Sequence, residues 1–145
     1  MSKSIGLLLR NGVSAVDAEV KAALAEQGFD EIEPGHHTLL RYLGEDGARP
    51  SELAARAGIT RQAVTKTLND LERVGLVERE PDAADGRAVV VRYTPRGLAA
   101  LQVARTRGKQ LERRFAAQVG AQRWQTVREV LEALFDVQGT PGTHR

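Results

Sequence analysis
The chain has 145 residues, enough for one ordinary domain and short for two. It is 41% apolar and 28% charged, as in a globular protein, and it has no cysteine, which excludes disulfides, thiolate metal sites, cysteine nucleophiles and thiol switches. Its 21 basic and 19 acidic side chains leave a net charge of +2, too small an excess to argue for nucleic acid by itself.

At the N-terminus, "MSKSIGLLLRNG" holds a five-residue apolar stretch if Gly6 is counted, without a full hydrophobic region or a small-residue cleavage site. A secretory signal is therefore not expected. No apolar run approaches the roughly 18 residues of a membrane helix, so no membrane partner is expected and a cytoplasmic location is the simplest reading.

Ile5, Leu9, Val13, Val16, Val20 and Leu24 recur at helical spacing and predict an amphipathic helix over 5–28, with Gly28 as its stop. A second helix carries Leu39, Leu40 and Leu43. "RPSELAARAG" predicts a short third helix, with Pro50 in its first turn, Glu52 at its positive end and Gly58 just past its end. Thr60 suits the N-cap of a fourth helix and Gly75 its termination.

After Gly75 the period changes. "LVERE" and "AVVVRYT" flank the turn-rich "PDAADG", which predicts a two-stranded hairpin. Thr94 and Pro95 then restart a helix marked by Leu98, Leu101, Leu111 and Phe115, with Gly108 a weak point inside it. A last helix holds Trp124, Val127, Val130, Leu131 and Leu134, and Trp124 is read as core or subunit interface. The tail, 139–145, is expected to be flexible.

The fold class is therefore mainly α with a small β-hairpin wing. A short helix, a tight turn at Gly58 and a polar-faced helix make a helix-turn-helix, and the hairpin behind it makes that winged. We expect a single domain over 1–138, with the winged helix-turn-helix over about 36–94 and flanking helices over 5–28 and 95–136.

The fourth helix has two faces. At about 100° per residue, Val64, Leu68 and Leu71 point one way and Gln62, Thr65, Lys66, Asn69 and Arg73 the other. Gln and Asn side chains can bond an adenine edge in two places, Lys reaches guanine acceptors, and the Thr methyl meets the thymine methyl. Arg61 and Arg73, near the helix ends, suit phosphates. The bland alternative is a solvated surface face. At the hairpin turn, Asp85-Gly86-Arg87 offers a second contact: Gly86 permits a positive φ, Asp85 either bonds the turn backbone or orients Arg87, and an arginine at a hairpin tip can enter a narrow minor groove.

The segment "SELAARAGITRQAVTKTLNDLERVGLVEREPDAADGRAVVVRYTPRG" resembles the core of the MarR family of bacterial transcription regulators. That family's wing reads Asp-x-Arg, five residues, an apolar residue and Thr; Asp85, Arg87, Tyr93 and Thr94 match the spacing. The match is specific over 49–97, and the flanking helices match in number and order. The resemblance implies a homodimer built by the outer helices, with the fourth helix in a major groove and the wing in a minor groove of double-stranded DNA. It implies a pseudo-palindromic operator with half-sites about one helical turn apart. It also implies repression of nearby genes, relieved by a small-molecule effector.

The family's wing arginine corresponds to Arg87, and its recognition-helix contacts to Gln62, Thr65, Lys66 and Asn69. Two departures stand out. Some members sense oxidants through a cysteine, absent here, and others sense phenolic compounds or metals, whereas an aromatic content of 4% gives a stacking pocket few walls.

His36 and His37 are adjacent, so on a helix they point about 100° apart and make a poor pair for one metal ion. Either could line an effector pocket between the second and fifth helices, or be simply structural. No nucleophile elbow, phosphate-cradling loop or metal-binding pair appears, so no enzyme, metal or cofactor is expected. Charge runs from −4 over residues 1–48 to +2 over 49–97 and +4 over 98–145. The basic cluster Arg105, Arg107, Lys109, Arg113 and Arg114 either meets phosphates, pairs with the acidic first helix or is solvated. Two rival functions remain open: a winged-helix module for protein contact, and a non-specific architectural DNA binder whose affinity varies only with salt.

Overall fold
The computed structural model describes residues 2–135. Among them, the order is α1 (Ile5–Glu26), α2 (Pro34–Leu40), α3 (Pro50–Ala57), α4 (Arg61–Arg73), β1 (Val77–Pro81), β2 (Val89–Tyr93), α5 (Pro95–Val119) and α6 (Ala121–Phe135). The segment 139–145, expected to be a flexible tail, lies outside the described residues. The first helix ends two residues before Gly28, which follows it in a left-handed conformation.

Local chemistry sets the boundaries. Thr60 accepts from the Ala63 amide at 3.1 Å and Thr94 from the Gly97 amide at 3.0 Å, so each threonine satisfies a donor that the first helical turn leaves unpaired. Gly58 closes α3 in the left-handed region, φ 65° and ψ 31°, where a Cβ would be strained. That turn redirects the chain from α3 into α4. Gly97 is required for another reason: a Cβ there would lie 1.9 Å from the Leu76 carbonyl oxygen, so only glycine lets α5 lie against the chain leaving α4.

The hairpin is antiparallel, with Val77 opposite Tyr93 and Pro81 opposite Val89. Ala48, just before α3, adds a bridge to Val91, whose carbonyl and amide it meets at 3.0 and 2.9 Å. The wing is thereby tied to the start of the helix-turn-helix.

One apolar cluster joins α1 through α5. Ile32, Leu39, Leu53, Val64, Leu68, Leu71, Leu76 and Val91 are at most 1% exposed at its centre. Tyr93 fixes β2 to α2 by donating its hydroxyl to the Leu40 carbonyl at 2.9 Å, and burial pushes its phenol well above the ordinary value. The basic face of α5 meets the acidic face of α1 within the same chain: Arg107 pairs with Glu19 and Glu26 at 3.2 and 3.0 Å, and Arg114 with Glu19 at 2.7 Å. Much of the charge gradient along the sequence is thus internal complementarity. Gly108 faces open space beside a cavity rather than a close neighbour, and the helix runs through it without a break.

Candidate nucleic-acid interface
Helix α4 separates its residues sharply. Val64, Leu68 and Leu71 are buried at 0%, 1% and 0% exposure, while Arg61, Gln62, Thr65, Lys66, Asn69 and Arg73 are all exposed. The exposed set is not uniform. Among the described residues, the side chains of Arg61, Gln62 and Lys66 make no hydrogen bond or ion pair. Thr65 donates its hydroxyl back to the Arg61 carbonyl at 2.9 Å, which leaves its methyl and an oxygen lone pair available. Arg73 reaches Asp70 at 3.4 Å. Asn69 accepts from Arg79 of β1 at 2.9 Å.

The wing tip runs from Asp82 to Ala88. Asp82 accepts from the Ala84 amide at 2.9 Å and pairs with Arg49 at the N-cap of α3. The backbone amide and the guanidinium hold its carboxyl below the usual range. Asp85 accepts from the Arg87 amide at 3.1 Å and makes no ion pair with the Arg87 guanidinium. Of the two roles open to Asp85, the structure assigns the backbone one. Gly86 does not adopt the positive φ that it would permit; the Asp85 carboxylate and the bond from the Ala88 amide to the Asp85 carbonyl shape the turn instead. Arg87 is exposed, and its side chain has no partner among the described residues.

The two histidines part company. His36 accepts the Glu33 amide at 3.0 Å through Nδ1, closing the start of α2, and turns Nε2 toward Asp70 at 3.9 Å. His37 is buried at 8% exposure and lines an apolar cavity of about 260 Å3 between α1, α2 and α5. Its Nε2 has no hydrogen-bond partner among the described residues, and burial holds the imidazole below its ordinary pKa of 6.5. Among the described residues, Tyr93 is the one Phe, Tyr or Trp in the cavity wall, with Arg41 and Arg105 also lining it.

Sequence reasoning missed Arg79 and Arg49. The signal for Arg79 was present, because strand alternation puts it on the same side as buried Val77, where a charged residue needs a partner. Nothing in the sequence pairs Arg49 with Asp82, which lies 33 positions away.

The MarR family model matches residues 31–88, which covers the helix-turn-helix and most of the wing. A helix-turn-helix transcriptional repressor of Mycobacterium tuberculosis is 30% identical over 131 residues, spanning 90% of this chain and 92% of the relative. The chain belongs to the MarR family. Its members are transcription regulators rather than enzymes. The fold agrees: the reduced form of MarR from E. coli superposes with a TM-score of 0.74 at 22% identity, over 93% of this chain and 98% of that one. A mutant of S. aureus MepR bound to an oligodeoxyribonucleotide superposes with a TM-score of 0.57 at 20% identity, over 93% of this chain and 98% of its own. Among the described residues, no helix of this MarR-family regulator is long and apolar enough to cross a membrane.

Proposed function
We propose that this MarR-family regulator is a sequence-specific repressor that binds a pseudo-palindromic operator as a homodimer. In this reading α4 enters the major groove and the wing the minor groove. The observation that carries it is the division of α4: the face bearing Gln62, Thr65 and Lys66 is exposed, while the opposite face is closed into the core. Arg61, Arg73 and Arg87 supply phosphate or minor-groove contacts. Asp85 shapes the turn that presents Arg87. The DNA-bound state of MepR, a protein of the same fold, supports the choice of partner.

Dimerisation falls to the outer helices, α1, α5 and α6. No residue of α6 is buried, and Val127, Val130, Leu131, Leu134 and Phe135 are 37–68% exposed. At the other end of the chain Ile5, Leu8 and Val13 are 48–70% exposed. Apolar surface of this extent is characteristic of a subunit interface. A small effector fits the cavity beside His37, whose unpartnered Nε2 gives a bound polar group one directed hydrogen bond. His36 is not among the residues that line that cavity.

The test is a titration against labelled DNA from upstream of the protein's own gene, at near-physiological salt with excess random duplex. Binding that survives the competitor is the expected result. A protein that binds all duplexes equally, with affinity set by salt alone, is an architectural binder instead.

A further inference from the structure
Arg79 does not belong to α4, yet it holds one of that helix's exposed polar groups. From β1 it donates Nη1 to the Glu72 carboxylate and Nη2 to the Asn69 carboxamide oxygen, the latter at 2.9 Å. Glu72 and Asn69 are three positions apart on α4, so one guanidinium spans a single turn of the helix and is anchored at one end by charge.

The consequence for Asn69 follows from donor chemistry. A guanidinium has only donors, so the carboxamide must turn its oxygen toward Arg79 and its Nδ2 donors away. One lone pair of that oxygen is taken and the other lies in the field of a positive charge. The bidentate adenine contact available to an asparagine requires the same oxygen to accept from the adenine N6 amino group. With Arg79 in place, that amino group would approach a polarised acceptor and further N–H donors. The guanine edge, with acceptors at both N7 and O6, can take the outward Nδ2 donors and needs nothing from that oxygen.

We propose that Arg79 is a positioning residue that sets the base preference of Asn69, turning it from an adenine reader into a donor that favours guanine. The proposal rests on α4 reading bases, as given under Proposed function. Glu72 serves the same arrangement by anchoring Arg79.

The test is selection of binding sites from a randomised duplex library by the full-length protein and by Asn69→Ala, Arg79→Met and Glu72→Ala. Thermal unfolding of each variant is followed alongside. Loss of preference in Asn69→Ala marks the base pair that Asn69 reads. At that base pair the unaltered protein is expected to favour guanine, and Arg79→Met to move the preference toward adenine by about tenfold, within the range of one good bidentate contact. Glu72→Ala places a strong helix former on α4 and is expected to move it the same way. A gain of adenine preference is not something that loosened structure produces. Retained guanine preference in folded Arg79→Met and Glu72→Ala would overturn the proposal while leaving sequence-specific binding intact. A preference unchanged in Asn69→Ala at every position would overturn it too. Failure of the unaltered protein to enrich any sequence would remove the reading of α4 and this proposal together.

Discussion

The winged helix-turn-helix and the two ends of the described chain, the first turns of α1 and helix α6, treat apolar surface in opposite ways. From α2 to β2 most of the large apolar side chains close on one another, and Leu53, Val64, Leu71 and Val91 are each 0% exposed. Helix α6 has no buried residue, and its main contact among the described residues is with α5, where Trp124 meets Phe115 with ring centroids 5.1 Å apart. The first turns of α1 likewise leave Ile5 70% exposed. Burying a Leu or Val side chain contributes roughly 1.5–3 kcal/mol. The chain collects that stabilisation by itself in the first region, whereas in the second the apolar side chains stay exposed in the single chain. Folding stability and the proposed assembly therefore draw on separate surfaces, and substitutions can address each alone.

The largest expected effect lies in the closed region. Leu68→Ala removes a buried side chain from the centre of the cluster and is expected to cost about 2–5 kcal/mol, read by denaturant unfolding. Leu131→Arg tests the open region. It places a charge on the exposed apolar face of α6, and we expect the dimer dissociation constant to rise about tenfold or more, equivalent to about 1.4 kcal/mol, while the helical content persists. Sedimentation and circular dichroism read the two quantities. If Leu131→Arg unfolds the chain instead, the separation between the two regions is wrong.

A smaller effect sharpens the comparison inside the winged region itself, between its buried and exposed faces. Lys66→Ala is expected to weaken operator binding by about 1–3 kcal/mol if the lysine reads a base. Arg87→Ala is expected to weaken binding more than it lowers unfolding stability, because its side chain is exposed and makes no hydrogen bond or ion pair among the described residues. Operator titration and thermal unfolding of both variants provide the check. Unchanged affinity in both would remove these residues from the interface.

The parts legible in the sequence were those governed by local rules. Helical periodicity, the threonine caps at Thr60 and Thr94, and the period change after Gly75 predicted the order of elements that the structure has. The split of α4 into a buried and an exposed face follows from spacing alone. Interactions between distant positions were not legible. Adjacent histidines look equivalent in sequence, yet His36 caps α2 and His37 enters the cavity, because their directions relative to α1 and α5 depend on tertiary packing. The bridge from Ala48 to Val91 and the grip of Arg79 on Asn69 are likewise set by folding. The turn at Asp85-Gly86-Arg87 was recognisable as a turn, but glycine permits several conformations, and its presence alone did not fix which one is used.

The smallest expected effect concerns His37, where the closed region meets the cavity. Burial holds its imidazole below the ordinary value of 6.5; the nearby Asp17 carboxylate opposes that shift, and Arg41 reinforces it. In the unfolded chain His37 titrates near its ordinary value, so between the folded and unfolded values the unfolded chain carries the extra proton. Stability therefore rises with pH through that interval and is lost as pH falls below about 6.5. Glu19, Glu31 and Asp82 are carboxylates held below their ordinary values, so their own contributions fade only under stronger acid. Thermal unfolding between about pH 5.5 and 7.5 is followed for the protein and for His37→Gln, and the difference between the two reports this histidine. The protein is expected to lose melting temperature toward the acid end, and His37→Gln, neutral throughout, to lose less. Equal slopes would mean that the imidazole is solvated well enough to hold its proton in the folded state, and the cavity wall would then be open to water at that point.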